Sequence, residues 1–156
     1  MTETAPDTTL RATTAIFAVA LLVHGADHLR RGMDATSALV NALGTLQLLF
    51  ALFTVFLVFR GHSAAPRAAV FIGFASAFGF TIVHVLPDWF GPLSDSFVNA
   101  PPSSGVTGFS WFAALFEIAA DLAIALVGLR VLRSRRVSVA WNRTMPPTAL
   151  GSEGCH

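Results

Sequence analysis

Between Asp34 and Arg60 the chain runs for 25 residues without a charged side chain, long enough for an α-helix to cross the hydrocarbon of a bilayer. A soluble fold has little use for such a segment. In lipid the helix satisfies its own backbone hydrogen bonds, so the segment is stable there and costly elsewhere. A second uncharged run of 20 residues lies between Arg67 and Asp88. A third, at about 109–132, is apolar except for Glu117 and Asp121 ahead of Arg130.

The first apolar run is less clear-cut. Residues 12–26 carry no charge, and a helix over about 13–29 just reaches across a thin bilayer. The stretch also has the length of a signal-peptide core, which if cleaved leaves three spans. The residues before it are acidic rather than basic, which favours a retained span. Composition agrees with a membrane chain: 54% hydrophobic and only 12% charged, against about a quarter charged in soluble proteins.

The expected architecture is therefore all-α, an integral membrane four-helix bundle with spans at about 13–29, 36–59, 68–87 and 109–132. The membrane domain occupies 13–136, flanked by disordered tails at 1–12 and 137–156. Four spans put both tails on one side, together with the loop around His62. That side collects Arg11, Arg60, Arg67, Arg130, Arg133, Arg135, Arg136 and Arg143, and the other only Arg30 and Arg31. The positive-inside rule makes both termini cytoplasmic. All ten basic residues are arginine, which suggests a GC-rich genome and a bacterial cell membrane. A net charge of +1 and scattered basic residues exclude a nucleic-acid partner. Cys155 has no second cysteine to pair with. Asn142 heads a glycosylation sequon that a cytoplasmic tail would not expose to the modifying machinery.

The long connection 88–108 carries Trp89, Phe90, Leu93 and Phe97, and is expected to lie against the mouth of the bundle. Asp95, in a Ser-Asp-Ser stretch, reads as a turn residue. In the third span Ala69, Gly73 and Ala77 recur at four-residue spacing, as do Ala75 and Gly79, so helices can approach closely. A faint echo relates Val23, His24 and Asp27 to Val83, His84 and Asp88, the trace expected of a duplicated two-helix unit.

Ionisable groups at the edge of apolar runs are the strongest functional clue, because they are costly there without partners or a cavity. At about 1.5 Å rise per residue, His24 and Glu117 sit roughly 4–5 Å to the external side of the bilayer centre. His28, His84 and Asn41 fall about 10 Å out, with Asp121 and Gln47 near the middle. Polar groups from all four spans thus converge on the outer half. His24 and His28 are i,i+4 on one face, with Asp27 close by, and Glu117 and Asp121 are likewise i,i+4.

Imidazoles facing carboxylates suit a transition metal such as Zn, Fe or Cu. His24, His28 and His84 are the expected ligands, Glu117 a further ligand or proton acceptor, and Asp121 a proton relay below it. Asp27, Asn41 and Gln47 would support them. Haem is the alternative cofactor, held by His84 with either His24 or His28. The Glu-x-x-His pattern of di-iron bundles is absent. Bland readings compete: Asp27 paired with Arg30 or Arg31 at a helix end, and Glu117 and Asp121 merely hydrogen-bonded to Gln47 or Asn41. A cofactor-free protein is the rival function, its acids carrying protons or meeting a partner subunit in a homo-oligomer or larger membrane complex. No nucleophile motif, phosphate loop or cysteine cluster points to a hydrolase or nucleotide enzyme.

Overall fold

The computed structural model describes residues 5–144, apart from some side chains near both ends of that range. It is all-helical over those residues. Four long helices carry the fold: α1 Ala5–Arg31, α2 Ala38–Phe59, α3 Ala65–Phe80 and α4 Gly108–Thr144. A wider π turn, Thr81–Val85, prolongs α3, and short 3-10 turns at Met33–Ala35, Gly91–Leu93 and Pro102–Ser104 shape the connections. All four helices are long and apolar enough to cross a membrane, over Thr8–Arg31, Ala38–Phe59, Ala65–Val85 and Gly108–Ser138.

Local sequence explains where the helices start. The Ser37 hydroxyl accepts from the Val40 N–H and caps α2, and Pro66 stands in the first turn of α3, where no donor is needed. Two helices extend beyond the apolar runs. α1 begins at Ala5, and Leu10 is buried in the core. α4 continues through 137–144, where the Ser138 hydroxyl bonds back to the Ser134 carbonyl. The expected tails thus include helical residues at 5–12 and 137–144, and their remainders at 1–4 and 145–156, with Cys155, lie outside the described residues.

α4 is the central helix, packed against α3 and α1, while α2 lies against α3 and α1. The contact between α3 and α4 rests on small residues. A Cβ added to Gly73 would collide with the Asp121 carbonyl, and one at Gly128 would lie 2.8 Å from the Pro66 carbonyl. Gly73 and Ala69 face this seam, as the spacing predicts, and Ala77 is buried. The companion pair differs: Ala75 is exposed and a Cβ on Gly79 would meet nothing within 4 Å.

Outward, the bundle is covered by Leu22, Leu49, Phe50, Phe53, Phe71, Phe78 and similar side chains. Such a belt is far larger than the apolar patches soluble monomers tolerate, and contact with lipid accounts for it. The two ends of the bundle differ in chemistry. At one end, an Arg11 nitrogen lies 4.0 Å from where a Cβ on Gly61 would stand, and Arg135 donates to the Ser63 carbonyl. At the other end Arg30 and Arg31 bond to the 88–108 connection. The histidines lie at this second end.

Candidate metal centre

The site is assembled by α1, the π turn after α3, the connection beyond it, and α4. In the π turn the Leu86 N–H reaches the Thr81 carbonyl, one residue further than in an α-helix. That widening is frequent at functional sites. Here the Val83 and His84 carbonyls accept from the Asp95 and Phe97 N–H groups, at 2.9 Å each. The connection is therefore fastened to the bundle along its backbone; of its expected anchors Phe97 is buried, while Trp89, Phe90 and Leu93 are exposed. Phe97 is buried, edge-on to Trp111 and beside the His84 ring.

His24 and His28 project from one face of α1, with their Nε2 atoms 3.0 Å apart. His84, 1% exposed, comes in from the π turn. One nitrogen from each of the three rings can be chosen so that all lie within 4.8 Å of one another. It is the only such grouping of three or more metal-binding side chains among the described residues. The three rings touch, with centroids 4.8, 4.9 and 5.6 Å apart, and Phe80 closes the His24 side at 4.8 Å. His24 and His84 are buried while His28 is half-buried.

Behind the cluster each buried imidazole meets an acid. His84 Nδ1 lies 3.2 Å from the Asp95 carbonyl and 3.4 Å from its Oδ2, leaving Nε2 for a ligand. His24 Nδ1 lies 3.5 Å from Glu117 Oε2, too long for a good hydrogen bond but a direct approach. Metal-binding histidines characteristically give their second nitrogen to a carboxylate or carbonyl, which fixes the tautomer and ring orientation.

Asp95 is held from the other side by Arg31, whose side chain is 1% exposed. The guanidinium donates to both carboxylate oxygens, at 2.7 and 2.6 Å, and lies over the Phe97 ring. Burial pushes the Asp95 carboxyl up, but the hydrogen bonds and charges of His84 and Arg31 outweigh it and hold the group below its ordinary value. This residue is a buried acid held between Arg31 and His84, not a simple turn residue. Sequence reasoning missed it because its partners lie on other elements; an acid a few residues after a span-terminal histidine was the available signal.

Asp27 does not face the cluster. It accepts from Arg30 Nε and Nη2 and from the Ser110 hydroxyl, and so ties α1 to the start of α4. The helix-end ion pair is therefore real, extended by Arg30 to the Gly105 carbonyl. Asn41 donates to the Met33 carbonyl and accepts from Thr36, and Gln47 donates to Ser76. Neither bonds to Glu117, because α2 packs on α3 and α1 rather than on α4. The echo between the two histidine segments also divides: Asp27 is buried, whereas Asp88 is exposed and Asp95 takes the place beside His84.

Glu117 and Asp121 lie inward of the histidines on α4, both 0% exposed. None of their four carboxylate oxygens has a hydrogen-bond partner. Polar groups buried in this way ordinarily find partners, so these stand out. Comparison of the chain with protein families, characterised proteins and solved structures finds no match.

Proposed function

We propose that this membrane protein holds a transition-metal ion through His24, His28 and His84, near the external face of a bacterial cell membrane. The convergence of three imidazoles from two elements, within 4.8 Å, carries the reading. Nitrogens sharing one tetrahedral ion at about 2.1 Å stand about 3.4 Å apart, so small side-chain rotations complete the set. Asp95 and Glu117 stand behind His84 and His24 as orienting acids, a more natural role for Glu117 here than that of a fourth ligand to the same ion. Three protein ligands leave a coordination position free, as in reactive rather than purely structural centres.

Zn, Fe and Cu all suit imidazole ligands, and the latter two would give the centre redox capability. Haem fits less well. It requires two imidazoles on opposite faces of a porphyrin, whereas three rings here touch one another between Phe80 and Phe97. The external location follows from the arginine bias, which assigns the opposite end to the cytoplasm. Metal analysis of detergent-purified protein tests the reading: a near-stoichiometric ion is expected, sharply reduced by His84→Ala.

One observation favours a second reading. The unpartnered oxygens of Glu117 and Asp121 suit a cofactor-free protein whose acids carry protons or meet a helix of a partner subunit. Four helices are few for a transporter acting alone, so this reading requires a homo-oligomer or larger complex. A metal-free wild-type protein with Glu117→Gln impaired in proton movement would support it.

A further inference from the structure

We infer that the arginine end of the bundle binds an anionic phospholipid of the adjoining leaflet, its phosphate held by Arg11 and Arg60 and its acyl chains laid along the outer face of α2. Three helices meet at the loop that joins α2 to α3. An Arg11 nitrogen from α1 lies 4.0 Å from where a Cβ on Gly61 would stand, and Arg60 is the residue before Gly61. From α4, Arg135 donates to the Ser63 carbonyl at 3.3 Å. The Arg60 guanidinium lies over the Phe56 ring, 5.8 Å from its centroid. Leu49, Leu52, Phe56 and Phe59 are exposed and, at three- and four-residue spacing, share one face of α2. Cationic and apolar surfaces are thus continuous, with guanidinium groups at the end of the span and an uncovered apolar stripe directly inward of them.

The depth suits lipid phosphate. α2 ends at Phe59, so Arg60 stands at its edge, and Arg11, just inside the span that begins at Thr8, reaches outward to the loop. By sequence, eight arginines on this side meet three acids, Glu3, Asp7 and Glu153, whereas the other side has two arginines and four acids. Anionic headgroups complement only the first. Among the described side chains, every acid lies at the histidine end or in the bundle interior. Guanidinium groups pair with phosphate bidentately, and basic residues beside a span draw anionic lipid to it. The inference is independent of the proposed metal centre, which lies at the opposite end.

The test uses the full-length protein in phosphatidylcholine bilayers, with spin-labelled phosphatidylglycerol or phosphatidylcholine as the probe and the fraction of label immobilised on the protein as the reading. Phosphatidylglycerol should be favoured by at least about fivefold, the effect of one basic residue at an anionic surface. Arg11→Gln/Arg60→Gln should remove most of that preference. Arg133→Gln/Arg136→Gln, the same loss of charge elsewhere at this end, should keep most of it. Equal loss in the two variants would mean that diffuse charge draws the lipid, and overturns the site at the loop. A wild type without preference overturns lipid binding and leaves the arginines to an acidic protein segment. Displacement of labelled phosphatidylglycerol by inorganic phosphate at constant ionic strength overturns it too, since a free anion is then the ligand. Should the double variant fail to fold, Arg60→Gln alone, at an exposed position, should still lower the preference, and an unchanged value there overturns the proposal.

Discussion

His84 and Asp95 are eleven residues apart in sequence, yet Nδ1 of the first lies 3.4 Å from Oδ2 of the second. That closeness depends on the π turn, which frees two carbonyls for the returning chain, and on Arg31, which holds the carboxylate in place. If His84 binds metal, Asp95 fixes the tautomer that leaves Nε2 available. Asp95→Asn should then weaken metal affinity by about 10–100-fold, as removal of such partners does elsewhere. Isothermal titration of wild type and variant with Zn²⁺ measures this.

Asp95 should also give the fold a dependence on acid. Its folded-state value lies below the ordinary 3.8, so its ionised form is favoured by folding. The contribution is complete above pH 3.8 and is lost as pH falls through the lower folded value. Thermal unfolding in detergent between neutral pH and pH about 3 should show a loss in wild type that is smaller in Asp95→Asn.

Arg31→Met tests the other side of the same pair. It leaves a buried carboxylate without its bidentate partner, a change that costs about 3–5 kcal/mol where the pair is well buried. A variant with unchanged melting temperature would mean that the Arg31–Asp95 pair contributes nothing to holding the connection 88–108.

Much of this architecture is legible in the chain, and the reason is physical. Uncharged runs such as 35–59 fix a span almost by themselves, because lipid accepts little else. The i,i+4 pairs His24 and His28, and Glu117 and Asp121, are also readable, since helical periodicity decides their faces. Asp95 and Arg31 are not, because their meeting depends on how the connection 88–108 folds back. Asn41 and Gln47 show the opposite failure: equal depth in the bilayer suggests convergence, but only the order of helices around the bundle decides which side chains meet.

The close approach of α3 and α4 gives a paired test. Gly73→Ala places a methyl group against the Asp121 backbone carbonyl, which cannot swing aside, whereas Gly79→Ala enters open space. The first should destabilise by about 1–3 kcal/mol, the usual cost of overpacking, and the second should be close to neutral. Unfolding of both variants in the same detergent gives the comparison.

Orientation in the membrane can be checked separately from the site. Reporter fusions after His62 and after Ser104 should report opposite sides, with His62 cytoplasmic, given the arginine bias.

The central claim is that three imidazoles share one ion, and X-ray absorption of the zinc-loaded, full-length protein tests it most directly. A zinc ion with three imidazole nitrogens at about 2.0–2.1 Å is expected, falling to two in His84→Ala. A zinc ion with fewer than three imidazoles in the wild type would contradict the shared site.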